Sequence, residues 1–412
     1  MQNNLRTVIT LAAAGAALGQ ASALEPSDLL LFQKGPAVLK PQFSLSETFN
    51  DNITYRSQDK QADLLTIVSP GLELQLGRKD FNFFDLAYTY DRLIYADHGE
   101  FDANQHHIAA RLKFQKNRLT LDGNDTVDFF SSPIGGGYSA ATLDRTEGIS
   151  GGVGGLKISR ANFYDFYRLT WDMSERTDLY LQGMHSFVDY QDDLPLYDSR
   201  TLIGTLGFEY HPFVKTYFFG ETYFGQTENS GNVATLIDYP TADFIGFFIG
   251  VRGQFTDRLR GMAKAGFEHR FYSDDGPSLN APVVDIGLEY QMSDKTAVAG
   301  GYSRRQYESI QFQRSPYTTD SLYATWTQFI GGDGRLRGIA RASYYLSTFD
   351  DQGQAIADRT DQSFSASLTM QYDIKVWMRA FGSYNFEHLD SNLPAIVDYN
   401  VNRVTVGLQI GY

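Results

Sequence analysis

Ser363-Phe364-Ser365-Ala366-Ser367-Leu368-Thr369-Met370-Gln371-Tyr372 alternates without a break. Successive side chains of an extended chain point to opposite faces, so Phe364, Ala366, Leu368, Met370 and Tyr372 share one side and the serines, Thr369 and Gln371 the other. The end of the chain repeats the pattern: Val404, Val406, Leu408, Ile410 and Tyr412 alternate with Arg403, Thr405, Gly407, Gln409 and Gly411. So do Val284, Ile286, Leu288 and Tyr290 with Asp285, Gly287, Glu289 and Gln291. Strands of this kind build a sheet with one apolar and one wet face.

Working outward from these segments, the same period predicts strands near 42–49, 65–77, 81–95, 104–115, 117–130, 157–172, 177–190, 200–210, 213–226, 243–255, 257–272, 283–291, 295–307, 319–330, 335–348, 361–373, 374–388 and 400–412. The connections alternate. Short turns stand at Gly77 to Asp80, Gln115 to Arg118, Met173 to Arg176, Thr256 to Arg258, Met292 to Lys295, Gly331 to Gly334 and Tyr372 to Ile374. Longer polar loops lie between them, at Asn50 to Asp63, Ser131 to Gly155, Asp189 to Ser199, Gln226 to Ala242, Ser273 to Ala281, Ser309 to Thr318, Phe349 to Arg359 and Leu389 to Asp398. Short turns at one end, long loops at the other and an even strand count are the topology of an outer-membrane barrel. A soluble sandwich mixes its loop lengths, and no blade motif accompanies the roughly 40-residue hairpin spacing that propellers also show.

The expected fold is all-β: a transmembrane antiparallel up-and-down β-barrel of about 18 strands. Only Pro70 falls inside a predicted strand, and Trp171, Trp326 and Trp377 fall near the short-turn ends, where an aromatic girdle belongs. Residues 1–23 read as a cleaved signal peptide, with Arg6 as the basic start, Val8 to Leu18 as the apolar core and Ala21-Ser22-Ala23 as the cleavage site. Residues 24–41 read as a short periplasmic lead and 42–412 as the barrel. After Leu18 no stretch is long and apolar enough for a membrane helix.

Composition narrows the function class. With 35 Lys and Arg against 49 Asp and Glu, a net charge of -14 disfavours duplex nucleic acid as a partner. Zero Cys excludes disulfides, thiolate metal sites and cysteine nucleophiles. Tyr at 26 and Phe at 30, against Pro at 12, suit strands.

The opening hairpin, Phe43-Ser44-Leu45-Ser46-Glu47-Thr48-Phe49-Asn50-Asp51-Asn52-Ile53, and the aromatic-ended last strand, Val404 to Tyr412, resemble those of the β-barrel porins that accompany exopolysaccharide-secretion and capsule operons. The resemblance covers nearly the whole mature chain. It implies a place in the cell outer membrane among lipid and lipopolysaccharide, and passage or export of polysaccharide. Tyr412 is similar to the C-terminal aromatic that outer-membrane barrel-assembly machinery recognises.

Barrels of 16 to 18 strands leave an aqueous channel, so lumen-facing side chains decide what passes. With the apolar face toward lipid, the lumen receives Arg252, Arg260, Lys264, Glu268, Arg270, Asp285, Glu289, Arg335, Arg337, Arg341, Arg379, Glu387 and Arg403. A basic stripe results, on which a carboxylate or phosphate of a solute would dock, with Asp285 and Glu289 neutralising part of it. The plainer reading is that these charges pair across the wall and hold a structural or adhesive barrel whose lumen is closed and whose external loops do the work. Tyr272 and Tyr345 are candidates for stacking on sugars.

No catalytic constellation stands out. His106-His107 and His185-Ser186 are adjacent pairs, and neighbours on a strand point apart. Asp192-Asp193, Asp274-Asp275 and Asp350-Asp351 lack the spacing of a calcium loop, and no Lys-Ser/Thr follows the glycines of Ser131 to Gly155, so neither metal nor cofactor is expected. Oligomeric state is left open.

Overall fold

A computed structural model describes residues 31–78, 81–133, 157–191, 198–230, 241–272, 278–308, 316–349, 359–392 and 398–411. The expected signal peptide, Tyr412, the three Asp-Asp pairs and most of the loop Ser131 to Gly155 lie outside these residues.

The chain runs β1 (Phe32–Lys34), β2 (Ala37–Asn50), β3 (Asp63–Gly77), β4 (Phe83–Tyr95), β5 (Ala103–Lys116), β6 (Leu119–Pro133), β7 (Lys157–Ser174), β8 (Thr177–Tyr190), β9 (Asp198–Phe213) and β10 (Thr216–Ser230). It continues through β11 (Ala242–Gln254), β12 (Leu259–Tyr272), β13 (Leu279–Ser293), β14 (Thr296–Glu308), β15 (Pro316–Ile330), β16 (Leu336–Phe349), β17 (Thr360–Lys375), β18 (Met378–Ser391) and β19 (Tyr399–Ile410). From β2 onward each strand pairs antiparallel with the next, and β19 returns to β2 from Arg403↔Asn50 to Ile410↔Phe43. Eighteen strands therefore close with no free edge, which lets a sheet cross hydrocarbon with its backbone groups satisfied. Among the described residues no helix is long and apolar enough to cross a membrane.

The faces divide as the alternation requires. Ile249, Phe267, Leu181 and Val406 stand exposed on the outside, whereas Asp285, Lys264, Glu268 and Arg270 are buried on the inside. Lipid explains this inversion of the soluble pattern.

The short turns need particular backbone. At Gly77, with φ +84°, an added Cβ would stand 2.2 Å from the Asn82 carbonyl oxygen, so only glycine closes the β3–β4 turn. Elsewhere bulges between Asp172 and Ser174, Gln291 and Ser293, and Asp373 and Lys375 tighten the hairpins at the same end.

The first barrel strand starts at Ala37 rather than 42, and Phe32 pairs with Leu39 through β1, so part of the expected lead belongs to the sheet. Proline is also less excluded than expected. Pro41 and Pro282 sit within strands beside Pro70. The β3–β4 ladder is interrupted between Val68↔Arg92 and Gly71↔Thr89, where Pro70 offers no N–H.

Candidate functional site

In a closed barrel the candidate site is whatever lines the lumen, and here side-chain size divides that lining into two walls. On β7 to β12 the register sets Tyr180 opposite Gly207, Phe219 opposite Gly250, Tyr223 opposite Gly246 and Phe244 opposite Gly225. A Cβ on these glycines would stand 2.0, 2.5, 2.2 and 2.2 Å from the respective rings. The rings fold across bare backbone, as aromatics do over strand glycines.

Charges fill the gaps between rings. Glu209 accepts from Arg168 and, at 2.6 Å, from Arg252. Glu221 accepts from Lys264 at 2.8 Å and Tyr180 at 2.9 Å, and Glu268 from Arg270 and Tyr223, both at 2.9 Å. Asp285, only 1% exposed, accepts from Arg305 at 2.9 Å. The Lys264 ammonium also lies 4.2 Å over the Phe248 ring and the Arg168 guanidinium 3.8 Å over Tyr180. This side of the barrel is packed like a core, with its charges paired.

The opposite wall, β15 to β19 and β2, carries short hydroxyls. Register partners share hydrogen bonds across the strands: Ser343 with Ser365 at 2.6 Å, Thr319 with Ser347 and Thr48 with Thr405 at 2.9 Å, and at the wall's border Ser321 with Ser303 of β14 at 2.6 Å. Most of these side chains are partly accessible although they face inward, so water reaches this wall. Arg341 stands exposed in it between Thr325 and Ser367, and among the described residues it has neither hydrogen bond nor ion pair. Nearer the short turns, Arg337 is held by Gln371 and Arg379 by Asp373 at 2.6 Å.

The long-loop end is narrowed by the chain after β2. Asn52, fully buried, donates to the carbonyls of Arg56 at 2.8 Å and Asn400 at 3.0 Å, while its own carbonyl accepts the Arg56 N–H. This hub turns the loop inward. Ile53 packs with Leu65, Leu93 and Phe101, and Tyr55 with Leu389, Tyr399 and Val401. Arg403 donates to the Tyr55 hydroxyl at 2.8 Å and to Glu387 at 2.9 Å, which ties the loop to β18 and β19 beside it.

The histidines separate as strand geometry demands. His106 faces outward to Tyr88 at 2.9 Å, whereas His107 sits in the lumen between Asp128 at 2.9 Å and Asp91 at 3.1 Å. Asp178, Glu209 and His211 converge closely enough to hold a cation. Glu209, however, is already clamped by two guanidiniums, whose charge opposes a metal there.

A family described as "Putative beta-barrel porin 2" matches residues 206–412, half of the chain and ten complete strands, β10 to β19, of this closed barrel. The chain belongs to that family. As a member of this porin family it is an outer-membrane β-barrel of the channel-forming kind. The family description says nothing of exopolysaccharide operons.

Solved structures that resemble this barrel include Acinetobacter baumannii OccAB3, at 14% identity over 91% of this chain and 99% of that one, TM-score 0.45. Pseudomonas aeruginosa OpdO is 13% identical over 91% and 97% with TM-score 0.47, and OpdK of the same organism 11% over 91% and 99% with TM-score 0.48. No curated protein matches the chain in sequence.

The porin lumen changes how the expected basic stripe reads. Arg252, Arg260, Lys264 and Arg270 do face inward, but each is paired, Arg260 with Glu289 at 2.7 Å, so the β11–β12 part of the stripe offers little free charge. Arg335 lies before β16, 58% exposed and 3.7 Å from Asp333. What remains toward the wet wall is Arg337, Arg341 and Arg379, while Arg403 serves the loop latch. Sequence reading missed the ring-on-glycine pairs, Glu209, Glu221 and Arg305. A glycine at a lumen position is the local sign of a ring pair, and its partner is 19 to 31 residues away.

Proposed function

We propose that this porin-family barrel is a diffusion channel for small acidic, hydroxyl-rich solutes of the sugar-acid class. The observation that carries the reading is Arg341, without a partner among the described residues and set in a water-accessible wall of serine and threonine, with Arg337 and Arg379 toward the periplasmic exit. A guanidinium recognises a carboxylate through paired N–H groups, and flanking hydroxyls exchange hydrogen bonds with a polyol. Polysaccharide passage, which the operon resemblance implies, fits less well, because the loop from Asp51 to Gln61 and the packed wall narrow the path. The reading is also non-catalytic: His107 faces two carboxylates rather than a nucleophile.

The inward loop favours one rival, a barrel closed at its outer mouth that acts through its loops. Refolded protein in planar bilayers separates the two. A channel gives discrete steps, an anion-biased reversal potential in a salt gradient and block by glucuronate or galacturonate. In Arg337→Glu/Arg341→Glu the reversal potential shifts toward cations and the block weakens at least tenfold. A silent membrane, or selectivity unmoved by the double variant, ends the proposal.

A further inference from the structure

The outer face of the barrel is apolar around most of its girth, and β11 to β13 show Ile245, Phe247, Ile249, Val284, Ile286 and Leu288 there. On β14 and β15 the outward Arg304 is neutralised by Asp320 at 3.0 Å, and on β6 to β9 the belt is broken over more strands. Asp125, Asp165 and His185 are register neighbours on consecutive strands, all facing out. Tyr167 donates to Asp125 at 2.8 Å, His185 Nδ1 bonds Asp165 at 2.9 Å, and Arg200 donates through Nε to His185 Nε2 at 3.3 Å.

Depth gives the cluster its meaning. Asp165 lies six residues from the girdle residue Trp171 on β7, about 20 Å along the strand and roughly 14 Å up the membrane at a tilt near 45°. That is the middle of an apolar band about 25 Å tall, where lipid tails offer no hydrogen bond. One step nearer the girdle, Gly183 and Gly204 pair side by side, and a Cβ on either would meet nothing within 4 Å. The face is thus hollow as well as polar, the reverse of a lipid-packed surface. It is no esterase site, since Arg200 occupies the imidazole nitrogen that would serve a nucleophile.

We infer that the β6–β9 face is where a second copy of this chain docks. Only another membrane-embedded wall reaches this depth, and the patch offers both signs: the Asp165 carboxylate, 41% exposed, and the exposed Arg200 and Tyr167. Two copies inserted in the same direction present these groups at matching depth, so the guanidinium of one meets the carboxylate of the other. Apolar side chains around the hollow, Leu181, Leu202 and Leu206, supply the packing.

The chain has no cysteine, so one introduced thiol reports one position. In native outer membranes, Leu202→Cys on β9 is expected to yield a self-crosslinked dimer with a short bismaleimide, at least tenfold more than Ile249→Cys on β11. Native mass spectrometry of the unmodified barrel in nanodiscs is expected to show more than one copy. Asp165→Leu/His185→Leu/Arg200→Leu is expected to leave a monomer that keeps the heat-modifiable gel mobility of a folded barrel. Equal crosslinking at both cysteines, crosslinking of Leu202→Cys only to a different protein, a monomeric unmodified barrel, or an oligomer that survives the triple variant overturns the inference. If the triple variant does not fold, the cysteine pair decides.

Discussion

The two walls of this lumen share strand length, closure and alternation, yet one behaves as a core and the other as a channel lining. On β7 to β14 large rings and long charged chains meet glycines and each other, and little surface is left to water. On β15 to β19 and β2 the same positions hold serine and threonine, and water reaches them. Strand geometry thus decides only which side chains point inward. Their volume decides whether the space is filled.

The comparison breaks most visibly where a buried charge loses its partner. Glu221→Leu strands the Lys264 ammonium beside Phe248, and an unpaired buried charge costs about 3–5 kcal/mol. Urea unfolding of the barrel in micelles, followed by gel mobility, should register a large drop in midpoint, and a wild-type midpoint would mean that this wall is not packed as a core. Gly246→Val comes next. Its side chain collides with the Tyr223 ring, an overpacking expected to cost about 1–3 kcal/mol in the same assay. The smallest effect belongs to the hydroxyl wall, where Ser343→Ala removes a cross-strand bond worth roughly 0.2–1 kcal/mol. A loss there as large as that of Gly246→Val would erase the distinction between the walls.

Much of the architecture was legible residue by residue. Lipid demands an apolar outer face along every strand, so the period in Ser363 to Tyr372 locates both strand and orientation, and β17 spans Thr360–Lys375 where 361–373 was expected. The lumen arginines were legible for the same reason. Their states were not, because nothing in Arg260 or Arg341 itself tells that one meets Glu289 and the other only hydroxyls. The Asn50-Asp51-Asn52 stretch was visible as a motif without a role. Its role lies in contacts with Asn400 and Asn402, about 350 residues on.

From sequence alone follow the strands, their inner and outer faces, the alternation of turn and loop and the place in the outer membrane, since each depends on a period or a spacing that neighbouring residues set. Only the closed barrel decides which ring covers which glycine, which cation keeps a free charge and how far a loop reaches into the mouth. Those outcomes depend on register between strands and on closure of β19 against β2, which brings Thr48 and Thr405 to 2.9 Å. Pairings across such distances in the chain are selected by packing and hydrogen bonding in three dimensions, and no local pattern encodes them.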